Sequence, residues 1–354
     1  MPTRPLRVAS VIAAMLVNIG SGAAWAQDEL FVTNYGSNSI VVYPRTAIGD
    51  VAPLRTLSGI ATGLAHPKGI AVDTVHSELY VVENGSNSVT VYARGAAGNV
   101  APIRTIAGTA TGLDYPAAIA VDVANNEVLV TNNGTNSITV YPRTADGNVV
   151  PLRTISGAAT QLLNPTAVSI DAVNDELVVT NFMAVTVYAR TANGNAAPLR
   201  TISGAATGIL ISIGGFVDTV NNEIFVSNHT PSITVYTRTA NGNAAPIRTI
   251  AGDATGLLIP GGLVLDAVNN ELAVTDYGNN SIRFFSRTAD GNVAPVRSIS
   301  GAATGLNIPI FATLAAGVAP PPSASIPTLN AHAVAALMLI LAAAGIFMTG
   351  RNNT

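Results

Sequence analysis

Between residues 29 and 316 the apolar side chains fall in short runs broken by turn residues. One stretch shows the pattern: runs at 69–72, 78–82, 88–92 and 102–106, each flanked by Gly, Asn, Ser or Pro. No run is long enough for a helix, and all are rich in β-branched residues, so each predicts a strand. In the third run Val89 and Val91 alternate with Thr90 and Tyr92. Such alternation is the period of a half-buried strand. Asp146-Gly147, Asn193-Gly194, Asn241-Gly242 and Asp290-Gly291 stand between third and fourth runs. They predict hairpin reversals there, because such pairs tolerate positive φ.

The four-run unit is written six times. Residues 42–59 mark one copy, and an arginine recurs at Arg45, Arg94, Arg143, Arg190, Arg238 and Arg287, at spacings of 49, 49, 47, 48 and 49 residues. A near-constant period of this size marks a repeat architecture. Four antiparallel strands per period predict an all-β fold, a six-bladed β-propeller. A β-solenoid is the rival, but its coils are shorter. The first copy starts at Glu29, in a second strand with no first strand before it. After the sixth copy, residues 307–314 align with the first-strand segment 66–72. The final blade is therefore expected to join 309–315 to 29–57, leaving no open edge in the ring. Prolines 53, 102, 151, 198, 246 and 295 stand at the start of the outermost strands, where they discourage pairing with another chain.

The pattern Pro67-x-Gly69-Ile70-Ala71-Val72-Asp73, followed by Val82-Glu83-Asn84-Gly85-Ser86-Asn87-Ser88-Val89-Thr90-Val91-Tyr92, resembles the NHL family of β-propellers. The resemblance covers nearly all of residues 29–316 and implies the same six-bladed ring.

Both ends read as addresses. Arg4 and Arg7, an apolar stretch at 8–17 and Ala24-Trp25-Ala26 form a secretory signal over residues 1–26. At the other end Ser325-Ile326-Pro327-Thr328-Leu329, an apolar run at 331–349 and Arg351 resemble the IPTL-type C-terminal sorting tail of Gram-negative bacteria. Nineteen residues make roughly 28 Å of helix at 1.5 Å each, close to a hydrocarbon core of about 30 Å. The expected domains are thus a signal at 1–26, the propeller at 27–317, a Pro/Ser linker at 318–327 and a membrane-spanning tail at 328–354. The resemblance implies an exported, membrane-tethered chain that meets the export and sorting machinery at the cell envelope or surface.

Composition narrows the chemistry. Charged residues are 10% of the chain and the net charge is −3, so the basic face that nucleic acid requires is missing. Lys68 is the only lysine, and there is no cysteine. That excludes disulfides and thiolate chemistry. Twelve of sixteen arginines belong to the repeat. They face Asp and Glu at fixed positions, Glu29, Glu78, Glu127, Glu176, Glu223 and Glu271 among them. The near-cancellation of sign predicts ion pairing within and between blades in preference to an anion-binding surface. Four histidines sit in no triad or metal motif, and nothing in the sequence supplies a classical catalytic constellation.

Asp73, Asp122, Asp171, Asp218 and Asp266 each end a first strand, the one lining a propeller axis. Such a ring of carboxylates would suit a hard cation such as Ca²⁺. The turn reading, in which each Asp closes an Asx-turn on its own backbone, is preferred, and the sixth position is Ala315. No cofactor is expected. A second series follows the second strand: Asn34, Glu83, Asn132, Asn181, Asn228 and Asp276. Glu83, Asn132, Asn181 and Asp276 include the residue types with which six-bladed lactonases of the gluconolactonase kind bind a divalent metal, and they are the alternative metal set. The ordinary reading of the series is turn formation beside Gly36, Gly85, Gly134 and Gly278.

Where the copies differ is more informative. The fourth has Asn181-Phe182-Met183-Ala184, two residues short, and the fifth Asn228-His229-Thr230-Pro231. Tyr35, Asn133, Phe182, His229 and Tyr277 occupy equivalent positions, so one face is expected to present aromatics among amides. Asn34, Tyr35, Asn132, Asn133, Phe182, Asn228, His229 and Tyr277 form the candidate ligand face. A glycan or protein partner fits it, since aromatic anchors are typical of binding sites.

Overall fold

A computed structural model describes residues 28–316. The segments read as signal, linker and sorting tail (1–26, 318–327 and 328–354) lie outside the described residues. Six four-stranded antiparallel sheets succeed one another as blades I to VI. In blade II, Pro67–Asp73, Glu78–Glu83, Ser88–Ala93 and Arg104–Ala107 run from first to fourth strand. Blades III to VI begin with Pro116–Asp122, Ala167–Asp171, Ser212–Asp218 and Pro260–Asp266.

Blade I is composite, as the sequence predicts. Pro309–Ala315 pairs antiparallel with Glu29–Asn34, matching Phe31 with Thr313 and Val32 with Ala312. Its third and fourth strands are Ser39–Pro44 and Arg55–Ser58. The closing strand carries Ala312 into the core shared with blade VI, beside Phe284 and Ile299. Six such apolar clusters, each shared by neighbouring blades, replace a single central core. Val, Ile and Leu from the second and third strands fill them, which is what a two-sided buried sheet demands.

The Asp-Gly and Asn-Gly pairs, and Ala97-Gly98 at the same repeat position, do something other than the predicted hairpin reversal. The link from third to fourth strand is too long for a two-residue turn, and its glycine reaches sideways instead. Gly98 donates to the Thr56 carbonyl and accepts from Ser58 on the preceding blade, at 2.7 and 3.0 Å. Parallel bridges of this kind recur at Gly147, Gly194, Gly242 and Gly291, and Gly49 makes one to Ile299 across the join of the termini. Gly98 holds φ of +68° to do so, a conformation that costs a side-chain-bearing residue more than glycine. The outer edge of every blade is thus covered by its neighbour, a stronger protection than proline alone.

Adjacent first strands crowd the axis. A Cβ on Gly69 would lie 2.6 Å from the Ala118 Cα, so the first strands of blades II and III approach too closely for a side chain at Gly69, whereas blade I carries Phe311 at the equivalent position.

Candidate functional site: a mouth at one end of the axis

Two faces of the ring are built from different turns. On one, the aspartates that end the first strands close their own turns. Asp73 Oδ1 accepts from the amides of Val75 and His76 at 2.9 and 3.0 Å, and Asp171 and Asp266 do the same two and four blades further on. An arginine of the next blade then lies against each carboxylate: Arg143 with Asp73, Arg190 with Asp122, Arg238 with Asp171, Arg287 with Asp218 and Arg45 with Asp266. Where Ala315 replaces the aspartate, Arg94 donates to its carbonyl at 3.5 Å. The glutamates that open the second strands pair with fourth-strand arginines, as Glu78 does with Arg104 at 2.8 Å. All twelve repeat arginines are ion-paired. These carboxylates are spoken for by amides and guanidiniums, and the Asp series offers no cation site.

The opposite face starts from the second series, at the far end of the second strands. Asn34, Glu83, Asn132, Asn181, Asn228 and Asp276 are all buried. Each side-chain oxygen accepts from an amide of the loop that enters its own blade. The donors are Asn307 (3.1 Å), Ala65 (2.7 Å), Asp114 (3.2 Å), Leu163 (3.2 Å), Leu210 (3.1 Å) and Leu258 (2.8 Å). The amide nitrogens of Asn132, Asn181 and Asn228 donate to Thr139, Thr186 and Thr234 on the third strand. Asn34, Asn132 and Asn228, expected on the ligand face, therefore belong to the frame beneath it. The same geometry does not bring the alternative metal set together: Glu83, Asn132, Asn181 and Asp276 each turn into their own loop. Among the described residues no group of three or more His, Asp or Glu could hold a metal ion.

Two members of the series depart from neutrality, and each has a distinct partner. Asp276 faces Arg283 at 3.5 Å, an arginine standing where blades II to V have threonine and blade I has Val41. Glu83 has no such cation. Its oxygens accept only from the Ala65 amide and the Thr90 hydroxyl, and burial pushes its carboxyl up to about 7.

The residue after each buried member emerges at the face. Tyr35, Asn84, Asn133, Phe182, His229 and Tyr277 each donate their backbone N–H to a loop carbonyl at 3.0–3.3 Å, which fixes the start of the side chain. Four of the predicted residues, Asn133, Phe182, His229 and Tyr277, line one cavity of about 350 Å³ together with Lys68 and Phe311. Tyr35 stands beside it, stacked on His66 with ring centroids 4.6 Å apart, and the Lys68 Nζ lies 6.0 Å from the Tyr35 centroid. Beneath, Phe311 also borders a narrower space of about 150 Å³ whose other walls, Ile70, Ile119, Val168 and Phe216 among them, carry no charge. The mouth is thus a shallow bowl with an apolar floor.

Sequence reasoning missed Lys68. Its first-strand position holds Ala117, Thr166, Ile213, Gly261 and Ile310 in the other blades, so the signal was present: one copy departs from its siblings, with the only lysine of the chain. Ile211, whose φ is +51°, also lines the bowl. The same repeat position holds positive φ at His66, Tyr115, Asn164 and Ile308, a conformation that is a genuine outlier for the β-branched members.

The model of a family described as "Lactonase, 7-bladed beta-propeller" matches residues 70–208, which lie in blades II to IV and the loop that follows; the ring itself has six blades. Among solved structures the fold is similar to a chain of the nidogen/laminin complex, at 15% identity and a TM-score of 0.60, covering 81% of this chain and 98% of that one. It is also similar to a functionally unknown protein from Desulfotomaculum acetoxidans DSM 771, at 10% identity and a TM-score of 0.55, covering 82% and 100%. No curated protein matches the chain.

Proposed function

We propose that this chain is an exported, membrane-tethered binding and scaffold module of the cell envelope, and that it takes a glycan or protein ligand at the mouth. One observation carries the reading. The residues at which the six copies differ most, Phe182, His229, Tyr277 and Lys68, line a single cavity, whereas the repeated charges are paired elsewhere. Aromatic planes beside amides suit ligands with both apolar and hydroxylated or peptide surfaces. A similarly folded chain sits in a complex of nidogen with laminin, which accords with a role in binding. The amino-terminal signal and the IPTL-type tail are the support for export and tethering. Removing residues 328–354 should release the chain from the membrane fraction, and unchanged fractionation would refute the tether.

The test of the mouth is a glycan and peptide array probed with the protein and with Phe182→Ala and Tyr277→Ala. At least about tenfold weaker binding is expected from losing a central aromatic anchor. Binding indifferent to both substitutions would place the ligand elsewhere and end this reading.

The similarity of residues 70–208 to the lactonase family model favours a second reading, a lactone-hydrolysing enzyme. A panel of sugar and acyl lactones decides it. Turnover lost on adding a chelator would favour the metal-dependent form, and turnover without chelator sensitivity a metal-free one. A purely structural matrix component is the third reading; it would need its partner on neighbouring cells, so mixing experiments with unlabelled cells separate it from the first.

A further inference from the structure

The charges of this propeller are almost all accounted for, and one that is not stands in the mouth. Every repeat arginine has a carboxylate partner, and Arg283 has Asp276. Lys68 has none among the described residues. Its neighbours in the bowl are the aromatic faces of Phe182, Tyr277 and Phe311, the imidazole of His229, and the amides of Asn133 and Asn164, with no Asp or Glu in the wall. The Lys68 Nζ contact that is fixed is the Tyr35 ring, 6.0 Å to its centroid, an aromatic face that leaves the positive charge without a counter-charge. Burial holds the Lys68 ammonium below the ordinary lysine range, as expected where desolvation is not offset by a counter-charge. A cavity of about 350 Å³ is at the small end of ligand sites, which favours one or two rings over a peptide segment.

From these residues, and resting on the reading of the mouth as a binding site, we infer that its ligand is a sugar acid, free or at the end of a glycan chain. The carboxylate pairs with the Lys68 Nζ, a hydroxyl meets the exposed amide of Asn164, and the apolar face of the ring lies on the aromatic wall. Lys68 is then the specificity determinant, and the aromatics supply the part of the affinity that does not depend on charge.

The experiment compares galacturonate, its methyl ester, a galacturonate trimer and the trimer's full methyl ester, binding to the full chain by calorimetry. Acid and ester share shape and hydroxyls and differ in charge. Removing a charge-assisted hydrogen bond costs about 1.5–3 kcal/mol, so the wild type should prefer the acid by roughly ten- to a hundredfold. Lys68→Met should level acid and ester, while Lys68→Arg keeps the preference. If only the trimer binds, the acid is read at a chain end; if the monomer binds as well, it is read free. Both results carry the inference. Equal binding of acid and ester by the wild type, or a preference that survives Lys68→Met, overturns it while leaving a Phe182- and Tyr277-dependent mouth intact. An array whose ligands are all neutral glycans or peptides, still dependent on those aromatics, overturns it in the same way. Binding of any probe that ignores Phe182→Ala and Tyr277→Ala removes the mouth reading itself.

Discussion

The two faces of the ring are made from the same repeat and put it to opposite uses. On the face of the Asp73 and Glu78 turns, the six copies agree almost residue for residue. Each charge is matched by one from its own or the next blade, as in the Arg104–Glu78–Arg143 set. On the mouth face the buried member keeps its role in every blade, whether Asn132 or Glu83 fills it, while the next residue varies from tyrosine to asparagine, phenylalanine and histidine. The lesson is that repetition holds the ring and departure from repetition shapes the mouth. Substitutions on the two faces should therefore separate stability from binding.

The largest effect should come from opening the ring. Deleting residues 309–315 strips Glu29–Asn34 of its inner partner and removes Ala312 from the cluster with Phe284 and Ile299. Loss of the cooperative transition by circular dichroism is expected, because an exposed inner edge and an uncovered core face are created together. A transition within a few degrees of the wild type would mean the closing strand matters little. Next comes the repeated face. Asp122→Ala leaves the Arg190 guanidinium buried without its carboxylate and deprives the Asn125 amide of its acceptor. Stranding one member of a buried pair costs about 3–5 kcal/mol. A loss under about 1 kcal/mol in denaturant titration would show that the inter-blade pairs are ornamental.

Much of this frame was legible before any coordinates, and for a physical reason. Strand positions are set by local alternation, as at Val89 to Tyr92, and six copies of one pattern average away the noise of any single one. Closure was legible because an incomplete first copy and a surplus last segment must compensate each other. What escaped were features fixed by neighbours distant in the chain. Gly147, after Asp146, announces a positive φ, and the obvious use is a hairpin. Only the packed ring shows that it pairs with Thr105 and Ala107 of the preceding blade. The same holds for the candidate site. Asn133, Phe182, His229 and Tyr277 were found as departures among copies, yet Asn34, Asn132 and Asn228 were grouped with them because adjacency in sequence says nothing about which of two neighbours points inward. Lys68 lies in a different strand, and only the ring's geometry brings it to the same bowl.

Between the two faces stands Glu83, a frame residue with a departure of its own. Its carboxyl, ordinarily near 4.5, is pushed up to about 7 by burial. Between those values the folded state holds a proton that the unfolded state has released, so stability falls as pH rises through the window. A rise from 4.5 to about 7 corresponds to about 3 kcal/mol lost by pH 8. Glu83→Gln can keep both contacts, accepting from Ala65 and donating to Thr90 as Asn132 does with Asp114 and Thr139. Unfolding free energies of the two proteins should converge near pH 4.5 and separate in favour of the variant toward pH 8. Parallel curves over that range would show that Glu83 ionises without cost, and the distinction between a neutral frame and a charged one would disappear.

The smallest effect belongs to Lys68, and its smallness is what the comparison requires. No carboxylate among the described residues depends on it, and its stem is only partly buried. Lys68→Met keeps the apolar length and discards a desolvated charge. The unfolding free energy should therefore change by less than about 0.5 kcal/mol, and any movement should be upward. A frame residue cannot behave this way, since Asp122 and Arg190 each strand the other when one is lost. If Lys68→Met instead destabilised the ring by as much as Asp122→Ala, the lysine would be part of the repeat's structural economy, and the mouth would lose the one charge that distinguishes it from an apolar dimple.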